Sequence, residues 1–231
     1  NPKYSATDIG GVISQDPGLT ARMLKIANSP YYGLSSTVDT VTRAVTVLGL
    51  KQIRDLVLAT TSIKAFEGIP NDIITMDDFW NHSISCGIAA KYLSEKLPGV
   101  DKETMFIAGL LHDIGQLIIF NKLPEQALKA ISMVEDDPDE PELYEVEMKV
   151  LGFDHAQLGY ELLKQWHLPA VFQECAGFHH DFEKAQQYPK EAALIHISNA
   201  IAVMAELNST EDESPSINEK AWEITELSRK R

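Results

Sequence analysis

Apolar residues recur along most of this chain at the three-and-four spacing of a helix surface. Val41, Ala44, Val45 and Leu48 stand at i, i+3, i+4 and i+7, and Gly49 follows as a helix stop. Ile53, Leu56, Val57 and Thr60 continue a similar face beyond it. Upstream, Asp16-Pro17 reads as an N-cap with proline at the first helical position, and Leu19, Met23 and Ile26 repeat on one face. Glycine and proline cluster from Gly68 to Asn71 and break the pattern. A long helix is predicted from near Asp77 to Pro98-Gly99. Asp101 caps the next, whose stripe is Phe106, Ile107, Leu110, Leu111 and Ile114, with Gly115 interrupting it. Residues Glu135 to Glu147, acidic and holding Pro138 and Pro141, read as a solvated loop and the start of a helix. Asp154 to Gln157 has capping-box spacing ahead of Leu158, Leu162, Leu163 and Trp166. Pro169 opens a helix to about His179, and a last core helix spans Pro189 to Leu207.

No convincing period-2 stretch and no fixed repeat interrupts this pattern, so the fold class is all-α. The breaks divide the chain into an N-terminal helical lobe, 1–72, and a second helical lobe, 73–207. Residues 208–231 follow as a polar linker, Asn208 to Ser216, and a C-terminal helical segment in which Trp222 and Leu227 can dock.

Composition narrows the partners. With 44% apolar residues among 231, the chain can bury a sizeable core. No run approaches the roughly 20 apolar residues of a membrane span. A net charge of -14 repels phosphate backbones and anionic lipid, which argues against nucleic acid and membrane as partners. Cys86 and Cys175 sit in apolar helical patterns and outline no disulfide framework, as expected of a reducing, cytoplasmic setting. A chain that opens at Asn1 reads as part of a longer protein.

Six of the seven histidines carry the candidate chemistry. His82 follows Trp80-Asn81, His112 and Asp113 form a doublet bounded by apolar residues, and His155 stands at a helix start. His179-His180 is a doublet at a helix end, and His196 lies in an apolar helix three residues before Asn199. Imidazoles and a carboxylate from several helices can cage a borderline divalent metal such as Zn, Fe, Mn or Ni. A single helical histidine is more often a packed or surface residue. The His112-Asp113 doublet says more, because a buried carboxylate needs a cation or hydrogen-bond donors beside it.

The order His82, His112-Asp113 and a late polar residue in an apolar helix resembles the HD superfamily of metal-dependent phosphohydrolases. Asp154-His155-Ala156-Gln157-Leu158-Gly159, then Trp166, Pro169 and His179-His180, resembles its HDOD branch more closely. So does the N-terminal lobe, in Asp16-Pro17-Gly18-Leu19-Thr20-Ala21-Arg22, in Ala27-Asn28-Ser29-Pro30-Tyr31-Tyr32-Gly33, and in Ala44 through Leu48-Gly49. The resemblance covers roughly residues 5 to 207. It implies a multi-helical HD-like domain with a bacterial signal-transduction or regulatory role, and His82, His112, Asp113, His155, His179 and His180 as metal-type residues. The stretch from Asn28 to Gly33 also reads simply as a turn whose tyrosines pack.

Two positions depart from an active HD enzyme. The last ligand of such enzymes is an aspartate, and the matching residue here is Asn199, a neutral and poorer ligand. In the related cyclic-dinucleotide phosphodiesterases, HD-GYP proteins, a lysine follows the doublet by three residues, and here that position is Gln116. The glycine-tyrosine-proline element is replaced by Asp181-Phe182-Glu183-Lys184. The retained residues either still hold a metal or persist as former ligands bonded across a core. His196 is expected to support the site from behind rather than to bind metal. Two functions remain open: a non-catalytic regulatory module acting on a signalling protein or sensing a metal or small phosphorylated ligand, and a phosphohydrolase of nucleotides or cyclic dinucleotides.

Overall fold

A computed structural model of the protein describes residues 5–14, 19, 23–24, 26–28, 38–50, 53, 57, 73–135, 142–207 and 217–227. Among them there is no β-strand, so the fold is all-α. The chain divides into two compact units, Asn1–Ala65 and Phe66–Arg231.

In the first unit, α1 (Ala6–Ile13) packs on α2 (Val41–Leu48). Ser5 caps α1 through a reciprocal pair with Asp8, and Thr40 caps α2. The stripe Val41, Ala44, Val45 and Leu48 is buried, and Gly49 ends α2 at φ 84°. Leu19, Met23, Ile26 and Ala27 are helical and buried with it, as is Ile53. The Asn28 side chain exchanges two hydrogen bonds with the backbone of Val38, donating at 2.8 Å and accepting at 2.6 Å. That clamp is a structural use of Asn28. The rest of its motif, Asp16-Pro17, and the break at Gly68 to Asn71 lie outside the described residues, as does the linker from Asn208 to Ser216.

The second unit runs α3 (Met76–Ser94), α4 (Lys102–Leu111), α5 (Ile114–Lys122), α6 (Pro124–Glu135), α7 (Leu143–Leu151), α8 (His155–Gln165) and α9 (Ala170–Phe178). A 3-10 turn (Phe182–Lys184), α10 (Pro189–Leu207) and α11 (Glu219–Thr225) complete it. Thr75, Asp101 and Asp154 cap α3, α4 and α8 by accepting from the backbone N–H three residues on. Helices α3 and α4 cross where Gly87 meets Gly109; a Cβ on Gly109 would stand 2.6 Å from the Gly87 Cα. α10 lies along α3, α8 packs on α5 and α9, and α11 docks on α10.

Two expectations are corrected. The break between α4 and α5 falls at His112-Asp113, not at Gly115, which lies within α5. Gly115 serves close approach instead: a Cβ there would come within 1.9 Å of the His155 carbonyl oxygen, so only glycine lets α5 meet the start of α8. The acidic run is not solvated to its end either, because Glu147 is 1% exposed and bonded to His155. One window, Lys102–Lys122, is long and apolar enough to cross a membrane by composition. It is two helices with 78% of that window buried in the unit, so its apolarity is that of a core.

Candidate metal centre

The helix ends of the second unit place the histidines. His112 follows α4 and His179 follows α9, each as the C-cap residue. Each ring reaches back three residues through Nδ1, to Gly109 O at 2.8 Å and to Ala176 O at 2.9 Å. Those carbonyls belong to the last turns, where helix geometry leaves acceptors free. A carbonyl only accepts, so Nδ1 carries the hydrogen in both rings and Nε2 is turned away from the helix. His155 opens α8, and Glu147 Oε2 accepts both from its backbone N–H (2.8 Å) and from its Nδ1 (2.6 Å). His82 projects from α3 with its Nδ1 on Glu206 of α10, at 3.1 Å to Oε1.

All four Nε2 atoms converge on one carboxylate. Asp113 Oδ2 lies 3.2 Å from His112 Nε2 and 3.6 Å from His82 Nε2. Its Oδ1 lies 3.4 Å from His155 Nε2 and 3.5 Å from His179 Nε2. Asp113 occupies the N-cap of α5 at φ -99° and ψ 14° but makes no capping bond, because its side chain is turned into the cluster. An aspartate that forgoes a favourable cap to face four imidazoles is a strong local conflict, of the kind found at functional sites.

The fifth imidazole, His180, takes a different place. Its Nε2 lies 3.0 Å from His155 Nε2, its ring stacks on Tyr144 at 4.0 Å, and its Nδ1 is 3.8 Å from Glu142. Asn199 lines the same cavity of about 600 Å³, as do Gln116 and Glu206. No lysine or arginine among the described residues lines it. The cluster thus brings together all six residues expected as metal-type, with Asn199 beside them.

Four buried polar atoms have no hydrogen-bond partner here: His112 Nε2, His179 Nε2, Asp113 Oδ1 and Asn199 Oδ1. Orphaned atoms are costly one at a time, and four around one point fit a site that binds a cation. Two groups of donors each lie within 4.8 Å of one another, His82/His112/Asp113 and His155/His179/His180, a spacing that could hold a metal ion.

The electrostatics agree. Burial works against the Asp113 carboxylate, yet the charge of His112 and the His112, His155 and His179 rings turned toward it hold it well below the usual range. Burial likewise opposes charge on His155, but Asp113 and Glu147 outweigh it and hold the ring at about 10. His112 is held well above the ordinary imidazole value against its burial, chiefly by Asp113. Burial pushes His179 down to about 4, and burial with His179 and His155 nearby pushes His180 well down.

Glu147 and Glu206 are the site residues not singled out from sequence. Their signal was a carboxylate on an apolar stripe. Glu147 follows Leu143 by four and precedes Val150 and Leu151, and Glu206 shares a face with Asn199 and Val203. His196 does stand behind the cluster, bonding the His179 carbonyl at 3.0 Å rather than facing Asp113.

An all-helical unit with a histidine–aspartate cluster at its helix ends is the frame of an HD-type domain. The HDOD domain model matches residues 1–182, and the chain belongs to that family. An HDOD domain protein of unknown function from Geobacter sulfurreducens is 25% identical, with a TM-score of 0.69, over 97% of this chain and 77% of that one. A candidate phosphohydrolase from Shewanella amazonensis SB2B is 27% identical, with a TM-score of 0.71, over 98% and 78%. An uncharacterized protein of Treponema pallidum (strain Nichols) is 26% identical over 203 residues. That match covers 86% of this chain but 38% of the Treponema protein, so the chain spans little more than a third of that relative's length.

Proposed function

We propose that this chain is a metal-holding regulatory domain that signals through a protein partner and does not turn over a phosphoester. The observation that carries the reading is the convergence of four Nε2 atoms on Asp113, each ring backed at Nδ1 by an acceptor. Metal-ligating histidines are held in this way from behind, which fixes tautomer and direction. His82, His112, Asp113, His155 and His179 would hold a divalent transition metal, with His180 and Asn199 at its edge. When bound, the ion would supply positive charge at Asp113 in place of the protons on the His112 and His155 rings, and would tie together the ends of helices distant in sequence.

The case against catalysis rests on what surrounds the cluster. Asn199 offers a neutral oxygen where a carboxylate would bind harder, and Gln116 lines the cavity where a cation would meet phosphoryl charge. The other charged groups lining it are Asp78, Glu142 and Glu206, which repel a phosphate.

A second reading, a metal-dependent phosphohydrolase, is favoured by one observation: the cluster opens on a cavity large enough for a small ligand. The name of the Shewanella relative points the same way. The test compares wild type with a His112→Ala/Asp113→Ala double variant. Metal content, capture of a partner and hydrolysis of nucleotides and cyclic dinucleotides with Mn or Fe supplied are measured on both. Metal and partner retained by wild type alone, without hydrolysis, is the expected result. Turnover of about 1 per second, in the ordinary enzyme range, that vanishes in the variant would replace this reading with the enzyme.

A further inference from the structure

The family match ends at residue 182, yet α10 and α11 continue beyond it; α10 lines the cavity of the histidine cluster, and α11 packs on α10 and on the turn that follows His179-His180. His196 on α10 makes the connection. Its Nδ1 donates to the backbone oxygen of His179 at 3.0 Å, and its Nε2 accepts from the backbone N–H of Asn218 at 3.2 Å. A neutral imidazole has one donor and one acceptor. Both are used, so the two partners fix the tautomer. The His179 carbonyl stands at the end of α9, where acceptors lack a helical donor. Asn218 is the residue that starts α11, its side chain accepting from Lys220 N–H. One ring therefore joins the beginning of α11 to the backbone of a cluster histidine.

A second contact acts on the same place from another side. The turn directly after His179-His180 carries Phe182 and Ala185 into a core that α11 completes with Ala221, with Trp222 packed against it. Lys220 Nζ pairs with Glu183 of that turn at 2.8 Å and 3.0 Å. Phe182 also packs against the His196 ring, 5.3 Å between centroids. The polypeptide that bears His179 and His180 is thus held by α10 and α11 together.

We infer that docking of α11 and metal binding at the cluster are coupled, with His196 as the positioning residue between them. The inference rests on the metal reading above. Docked α11 holds the His179 backbone where its Nε2 meets Asp113, and metal at the cluster holds α11 down in return. Such coupling is reciprocal by linkage: whatever loosens α11 weakens metal binding by the factor by which metal strengthens docking. Occupancy of a buried site then becomes readable at the surface as the docked state of one short helix.

The test uses the full chain as wild type, His196→Phe, His196→Asn, Asn218→Pro and Asn218→Ala. Zn2+ affinity is measured by competition with a chromophoric chelator, and amide hydrogen exchange is followed over residues 219–225 with and without Zn2+. Asn218 has φ -60°, which proline accepts, so Asn218→Pro removes the N–H donated to His196 without forcing the backbone. Asn218→Ala loses the same side chain but keeps that N–H, and so separates the link from simple loss of the cap. Zn2+ is expected to slow exchange over 219–225 in wild type. His196→Phe and Asn218→Pro are expected to weaken Zn2+ binding by about tenfold, the range for groups that support a metal-ligating histidine, and to abolish that slowing. Asn218→Ala, which loses the cap but keeps the N–H donated to His196, is expected to weaken Zn2+ binding less than Asn218→Pro, and His196→Asn, which keeps an amide donor, to recover part of the loss. Wild type that binds Zn2+ with no change over 219–225, or His196→Phe and Asn218→Pro variants that bind it as wild type does, would overturn the coupling alone. Wild type that takes up none of Zn, Mn, Fe or Ni would overturn the metal reading and the coupling with it.

Discussion

Glu147 grips His155 twice, accepting its backbone N–H at 2.8 Å and its Nδ1 at 2.6 Å, with both side chains 2% exposed. The pair joins α7 to the first residue of α8 and sets the direction of His155 Nε2. Glu147→Ala would leave two buried donors without acceptors, which costs about 2–4 kcal/mol in total. Metal affinity is expected to fall by about tenfold or more as the ring loses its backing. Urea unfolding and chelator competition measure the two effects separately. A variant with unchanged metal affinity would show that Asp113 alone orients His155.

Gly115→Ala tests the approach of α5 to α8. The new methyl would meet the His155 carbonyl oxygen at 1.9 Å and the Gly159 nitrogen at 2.7 Å, and both are backbone atoms that cannot swing aside. The helices must part, at a cost of about 3 kcal/mol or more. Because His155 starts α8, metal affinity is expected to fall along with the unfolding midpoint. A stable variant that binds metal normally would show that α8 can shift without its histidine.

Much of the fold was legible because its signals are local. The stripe from Val41 to Leu48, the cap at Asp101 and the helix from Pro189 to Leu207 all lie where periodicity and capping put them. The cluster was legible in part, since His112-Asp113 between apolar neighbours can be read without a fold. Gly115 was not, because nothing near it in sequence announces the His155 carbonyl that excludes a Cβ. Glu206 binds His82 across 124 positions, and no local pattern encodes that meeting. Glu147 was obscured by its setting: an acidic run with two prolines reads as solvent-facing until α8 returns to cover its last member.

Metal uptake is expected to release protons. His155 is held at about 10 by Asp113 and Glu147 against its burial, so below that pH the ring is charged in the metal-free protein. A ligand imidazole must give up the proton on Nε2, since Nδ1 stays on Glu147. The sign follows: affinity rises with pH from about 6 to 9, the window below the raised value. Calorimetric titration in buffers of different ionisation enthalpy reads the protons directly, and binding heats independent of buffer would contradict it.

Asn199→Asp tests what a carboxylate at this position adds to the centre. Asn199 Oδ1 is buried without a partner beside the cluster, so a carboxylate there can reach the same centre. Added ligand charge tightens binding of a divalent ion, here by roughly tenfold or more. The metal-free protein is expected to lose stability, because the new charge joins Asp113 and Glu206 around a cavity that no lysine or arginine among the described residues lines. The cation at Gln116 is still absent, so Asn199→Asp alone is expected to bind metal better and still not hydrolyse a phosphodiester. The Asn199→Asp/Gln116→Lys double variant supplies both the ligand charge and the phosphoryl partner, and any turnover is expected there first. Hydrolysis by wild type at the rate of the double variant would mean that neither position limits catalysis.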